Sequence, residues 1–307
     1  MNIRLVVILS LFIGSFQQAF AQVVINEGCN RNYISSTDED GDKPDWIELY
    51  NAGNSLVDLT GYHLSDNLLQ PLQWPLAGLS LAPNEFKLVY CSGKDRYESS
   101  PFSPAVTDLS YSPIVGWNTH NFTNTFDWDG QSNILLNICS YADNGYTENS
   151  VFLQTETPYT STTANWNDGS DASCSAVNGF IYNRRPNLKI NGTTLDFGTL
   201  QNSNTDYPAP YGNWYWSARH QILVHGAELT AAGLTAGPIN SIGFEVVSTN
   251  AITYTYIDVS ISATLLNELS NNFIPLNGYS NHSNFKIESN GESVFLSDPS
   301  LTTISSL

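Results

Sequence analysis

Four closely spaced carboxylates stand out chemically: Asp38, Asp40, Asp42 and Asp45. Acids at alternate positions, with Gly41 to make the turn, can converge on a hard cation, and Ca2+ takes roughly six to eight oxygen ligands. A structural Ca2+ is therefore the expected cofactor, with these four residues as its candidate ligands. The spacing is not that of an EF-hand, because the position that would carry the bidentate Glu is Leu49. A solvated acidic turn is the plainer alternative.

A second concentration of chemistry is aromatic: Tyr207, Tyr211, Trp214, Tyr215 and Trp216. Flat rings suit the C–H faces of pyranoses, so Tyr211, Trp214 and Trp216 are the candidate glycan contacts, with Trp117, Trp128 and Trp166 available to extend the set. Core and inter-strand packing is the competing role for alternating aromatics. Paired carboxylates for glycoside hydrolysis are not identifiable; Glu27 and Glu48 read as structural hydrogen-bond acceptors serving turn backbone. His63, His120, His220, His225 and His282 show no metal-ligand spacing, and His220 and His225 read as strand residues. A nucleophile elbow, a P-loop and a dinucleotide fingerprint are all missing. Arg184-Arg185 is too short a basic run to indicate nucleic acid. No catalytic residue is expected.

The elements that must position these groups follow from composition. Length 307 suffices for one large or two ordinary domains. Met1-Asn2-Ile3-Arg4, the apolar run from Leu5 to Phe16, and Ala19-Phe20-Ala21 form a secretory signal over 1–21, so the mature chain is expected to begin at Gln22. The apolar run is too short for a span, which needs roughly 20 residues, and no membrane crossing is expected. With 29 acids against 11 bases, the formal net charge is −18, which repels phosphate backbones and excludes nucleic acid as a partner class. Abundant Asn, Ser, Thr and aromatics suit an extracellular, turn-rich all-β protein that is secreted or held at the cell surface. Cys29, Cys91, Cys139 and Cys174 lack C-x-x-C spacing, and Cys139 with Cys174 is the favoured disulfide in an oxidising compartment. Cys29 and Cys91 either pair or are two buried thiols.

Asp45-Trp46-Ile47-Glu48-Leu49-Tyr50-Asn51 alternates at period two, with Ile47 and Leu49 on one face. Strands are also expected at Val23–Glu27, Val57–Leu59, Gly61–Asp66 and Phe86–Cys91, spaced as in a sandwich. Val24-Ile25-Asn26-Glu27, the strand from Asp45, Asp58-Leu59-Thr60-Gly61-Tyr62-His63-Leu64-Ser65-Asp66 and Leu81-Ala82-Pro83-Asn84-Glu85 together resemble the lamin-tail domain family. It is similar to the copies in secreted bacterial proteins, many from the Bacteroidetes, and the resemblance implies an immunoglobulin-like β-sandwich. The family's later segment is matched near the C-terminus, by His282-Ser283-Asn284-Phe285-Lys286-Ile287, Gly291-Glu292 and Leu296-Ser297-Asp298-Pro299. Asn290-Gly291 is a hairpin signal.

The expected organisation is therefore a lamin-tail domain in two parts, 22–96 and 281–307 (the second truncated), interrupted by an inserted second β-sandwich or jelly-roll-like domain over 97–280. The alternative is two domains in tandem followed by the start of a third. Within 97–280, strands are expected at Thr119–Phe126, Ile134–Cys139, Val151–Thr155, Arg184–Ile190, Ile239–Val247 and Tyr254–Leu265, with one helical turn at Glu228–Ala232. Its motifs around Gly116–Ile134 and Pro210–Gly233 resemble a repeat module of secreted Bacteroidetes proteins, in which the Tyr-Gly-Asn half precedes the Trp-Asp-Gly half. Here the order is reversed, so the halves either close into one permuted sandwich or pair differently. The expected function is a non-catalytic secreted or surface module that binds a glycan or an extracellular protein. The alternative is the N-terminal accessory region of a larger secreted enzyme or spore-coat-kinase-like protein.

Overall fold

A computed structural model describes residues 22–76, 78–143, 147–278, 280–287, 293–300 and 303–306. The expected secretory signal over 1–21, the Asn290-Gly291 hairpin signal and the Gly291-Glu292 motif lie outside the described residues. The fold is all-β, with 23 strands, one short α-helix and one 3-10 turn among the described residues. The described residues divide into two compact units, each assembled from separated segments: 22–28, 48–87 and 293–306 in the first, 29–47 and 88–287 in the second. Residues 88–96 and 281–287 thus group with the larger unit, not with the segments that flank them in the expected scheme. The reason is local pairing: Asn281–His282 runs parallel to the strand at Val89 and Tyr90, and His282 and Arg96 bond each other's backbone.

In the first unit a sheet runs in the order Thr303–Ser306, Phe295–Ser297, His63–Ser65, Trp74–Pro75. Leu296 stands opposite Leu64, and Leu64 opposite Trp74, and none of the three reaches solvent. A short ladder joins Val57–Asp58 to Ser80–Leu81. The Leu-Ala-Pro-Asn-Glu motif makes a turn that needs a left-handed residue, supplied by Asn84 at φ 62°. Its hub is Asn51, fully buried, whose side-chain amide donates to the carbonyls of Ser55, Leu81 and Ala82 while its own oxygen accepts the Gly53 N–H. A buried amide with every group bonded fixes a turn; one left unbonded would cost about 1–3 kcal/mol.

The second unit is a β-sandwich. One sheet orders its strands Phe180–Tyr182, Thr162–Asn167, Ser217–Val224, Asn133–Tyr141, Tyr254–Thr264, Ser103–Tyr111. The other orders Arg184–Pro186, Val151–Glu156, Gly237–Ser248, Leu188–Ile190, Thr193–Thr194, with Gly116–Trp128 also paired to Gly237–Ser248. The two halves of the 97–280 region therefore interleave as one sandwich: Asn133–Tyr141 lies between two strands of the later half. Arg184–Ile190 is two strands, not one; Arg184–Pro186 pairs with Val151–Glu156 and Leu188–Ile190 with Gly237–Ser248. His225 is likewise not a strand residue. It precedes the helix Gly226–Ala231, its N–H bonded to Glu228 Oε2 at 2.9 Å.

Inward residues of both sheets form the core, among them Ile134, Leu136, Ile138, Ile222, Phe152, Phe244, Val259 and Ile261. Ser217–Val224 is buried at every residue, which alternation alone does not predict. Its outward side chains are covered too: Arg219 donates to the Ala176 carbonyl and Gln221 exchanges bonds with the backbone of Ile274. Cys139 on the neighbouring strand is disulfide-bonded to Cys174 in the 3-10 turn Ala172–Ser175, which fastens that cover to the sheet. Closing 35 residues of chain stabilises by roughly 3–4 kcal/mol on the loop-entropy account. Cys29 and Cys91 are thiols, the first half-buried and the second buried.

Candidate functional site

The acidic loop folds back on itself through Asp38, whose side chain is fully buried. Its Oδ1 accepts the N–H groups of Asp40 and Asp42, and Gly41 turns the chain at φ 82°. Carboxylate oxygens of Asp38, Asp40 and Asp42 come within 4.8 Å of one another. At their focus is an ammonium: Lys94 Nζ lies 2.8 Å from Asp38, 2.5 Å from Asp40 and 3.0 Å from Asp42, one donor for each. Arg96 also pairs with Asp40. That Arg96 bond, with Lys94 beside it, holds the Asp40 carboxyl down at about 2. Asp45 does not join the group; its Oδ1 accepts the Asn32 N–H at 3.1 Å. The loop's negative charge is thus met by two side chains of the protein.

This placement has a direct test. Wild-type thermal unfolding is expected to be the same in EDTA and in millimolar Ca2+, because a metal would have to displace a tripod-bonded ammonium. A ligand present at 100 times its Kd adds about 2.7 kcal/mol, so a rise of several degrees in the wild type would overturn this expectation. Lys94→Met, which leaves three carboxylates facing one another, is expected to be less stable at neutral pH and to recover part of the loss at low pH.

Glu39, the loop's fourth acid, points elsewhere. Its Oε1 lies 2.9 Å from His282 Nε2, and His282 Nδ1 lies 2.7 Å from Ser92 Oγ. Ser92 and His282 are hydrogen-bonded, whereas Nε2 and Glu39 Oε1 lie close without a hydrogen bond between them, so the three stand in the order of nucleophile, base and acid with the base–acid link unmade. Burial raises the Glu39 carboxyl, but the adjoining His282 ring and the Arg96 charge more than offset it, and the net direction is down. The arrangement lacks the rest of an acyl-transfer site. Ser92 is only 8% exposed and His282 is fully buried. The backbone donors beside the hydroxyl are already bonded, Gly93 to the Phe285 carbonyl and Lys94 to Ser92 Oγ itself, which leaves neither for an oxyanion. His282 also packs at 5.1 Å from the Tyr90 ring. These bonds hold the loop against the Asn281–His282 strand.

The aromatic candidates separate. Tyr211 is wholly buried, and this corrects its assignment as a glycan contact: its hydroxyl bonds His120 Nε2 at 2.7 Å, and its ring sits among Tyr111, Phe152 and Phe244. His120 in turn meets Asp108 through Nδ1 at 2.5 Å. Trp214 is 39% exposed and Trp216 half-buried, so both can still meet a ligand. Trp128 is buried with its indole N–H on the Ser132 carbonyl, and Trp117 lies under the Lys189 ammonium. The rings that do gather do so around Trp166. Tyr207 stacks on it at 4.2 Å and 6°, Phe180 at 4.9 Å and 14°, and Tyr215 at 6.0 Å. Phe180 is the exposed member, and only its place on a sheet edge reveals it. Glu48 accepts from the Asn26 side-chain amide, not from turn backbone.

No helix among the described residues is long and apolar enough to cross a membrane. No protein-family model matches this chain, and neither does any curated protein sequence.

Proposed function

We propose that this chain is a non-catalytic, exported binding and scaffolding module, built on a lamin-tail-like framework with a second β-sandwich set into it. The observation that carries this is the contrast between its polar and aromatic groups. The Ser92–His282 pair is shut from solvent with its neighbouring donors consumed, and His282 makes no hydrogen bond to the adjacent Glu39. Flat rings, by contrast, are left open to a ligand, Phe180 and Trp214 among them. Export agrees with the basic–apolar–small pattern of residues 1–21 and with the Cys139–Cys174 bridge. A strongly acidic surface favours neutral or cationic partners. The test is turnover of ester, peptide and glycoside panels by the protein and by Ser92→Ala. Neither is expected to exceed the buffer blank. Turnover by the wild type that Ser92→Ala abolishes would replace this function with a hydrolase.

A further inference from the structure

We propose that the ring column Phe180–Trp166–Tyr207, on one edge of the six-stranded sheet, is a carbohydrate platform for a neutral chain of equatorially linked pyranoses. This rests on the binding-module reading above and names its ligand class. Phe180–Tyr182 is the outermost strand, paired only through Thr162, Thr163 and Ala164, with Phe180 opposite Ala164. That register sets Phe180 beside Trp166, the next residue on the same side of the neighbouring strand. The three rings lie nearly parallel, Phe180 on Trp166 at 14° and Trp166 on Tyr207 at 6°.

The two ends of the column differ. Tyr207 is 3% exposed and anchored in the core, whereas Phe180 is 60% exposed. A ring fixed at one end by burial and open at the other is a rigid surface, and a rigid aromatic loses little entropy when something stacks on it. Hydrogen-bonding groups, which sugar hydroxyls require, lie beside the column at Arg184 and Tyr182. Arg184 Nη2 donates to the Tyr207 carbonyl at 3.2 Å, and its guanidinium lies 5.4 Å from the half-buried Tyr182 ring. A pyranose with equatorial substituents presents a flat C–H face to such a ring; axial linkages break that face. The −18 formal charge weighs against uronic or sulfated chains.

The experiment is calorimetric titration of the protein with cellohexaose, xylohexaose and maltohexaose. Cellohexaose or xylohexaose is expected to bind with a Kd between about 10 μM and 1 mM. Phe180→Ala is expected to weaken binding about tenfold. Because Phe180 is mostly exposed, its melting temperature should stay that of the wild type. Phe180→Trp is expected to bind within about threefold of the wild type, since it keeps a flat ring. Failure of all three hexaoses to bind at millimolar concentration overturns the platform, as does binding that Trp214→Ala abolishes and Phe180→Ala leaves intact. Equal affinity for maltohexaose overturns the linkage class. None of these outcomes touches the non-catalytic reading, which falls only on Ser92-dependent turnover.

Discussion

Arg185→Met is expected to cost roughly 3–5 kcal/mol, the penalty for breaking a buried ion pair by removing one member. Arg185 is 1% exposed, yet all of its donors are used. Nε and Nη2 clasp Asp196 at 3.0 and 2.8 Å, Nη1 reaches Tyr159 Oη at 2.7 Å and the Leu223 carbonyl at 3.1 Å, and both terminal nitrogens meet Glu228. Arg185 sits on the edge strand of one sheet and Leu223 on a strand of the other, while Glu228 lies in the helix, so one guanidinium links three elements. Without it, Asp196 (4% exposed) keeps a charge with its counter-ion gone, which is the costly part. Glu228, about one-third exposed, can turn to water and loses less. Two comparisons separate charge from volume. Arg185→Lys is expected to lose most of the same stability, because an ammonium cannot span Asp196 and Glu228 together. Arg185→Met with Asp196→Leu is expected to recover part of the loss. Urea unfolding of the three variants at neutral pH decides it, and an Arg185→Met value within about 1 kcal/mol of wild type would show that the network is not stabilising.

The same network has an acid limb. Burial pushes the Glu228 carboxyl up, but the Arg185 charge and the bonds from Tyr159, Arg185 and the His225 N–H outweigh it, and the net direction is down. A carboxyl lowered in the fold contributes stability above its unfolded value of about 4.5 and loses it as pH falls below that.

Local periodicity made much of the framework legible. Asp45–Asn51 forms the strand its alternation predicts, with Ile47 and Leu49 at zero exposure. The Cys139–Cys174 pairing followed from both residues falling in one region of the chain. What escaped was information carried between strands. Lys94 is far from Asp38 in sequence, and spacing around the loop gives no sign that its ammonium enters the carboxylates. Ser92 and His282 meet only because a C-terminal strand lies parallel to Val89 and Tyr90. Tyr211 leaves its expected place at the surface, and Phe180, which carried no expectation, takes one there, for the same reason. A tyrosine in a polar, Gly- and Pro-rich stretch became core, and a phenylalanine beyond a polar loop became surface, because sheet order decides which residues are central and which are at an edge. Arg184-Arg185 reads as a basic dipeptide, yet the pleat sends the second arginine inward.

The second large effect concerns His220. It lies on the fully buried strand Ser217–Val224, at zero exposure, with the Tyr207 ring 5.8 Å away. Nε2 accepts the Ala209 N–H at 3.0 Å, so in the neutral ring Nδ1 holds the proton. Protonating Nε2 would put a charge in the core and turn the Ala209 donor toward another donor. Burial accordingly drives this imidazole down to about 3. An unfolded histidine titrates near 6.5, so between those values the unfolded chain binds a proton that the fold refuses. Stability is complete above about 6.5 and falls as the solution is acidified, by about 1.4 kcal/mol per pH unit once below it. From pH 7 to pH 5 the loss is about 2 kcal/mol. The lowered carboxyls Asp40 and Glu228 take effect below about 4.5, so the window from 5 to 6.5 is separated from theirs. His220→Gln, which keeps an acceptor for Ala209 but does not titrate, is expected to flatten the curve there whatever its stability at pH 7. The comparison is therefore of slopes, from denaturant midpoints at pH 7, 6 and 5. Parallel slopes for wild type and variant would mean that the imidazole is protonated within the fold, and the sandwich core at His220 would then have to admit water.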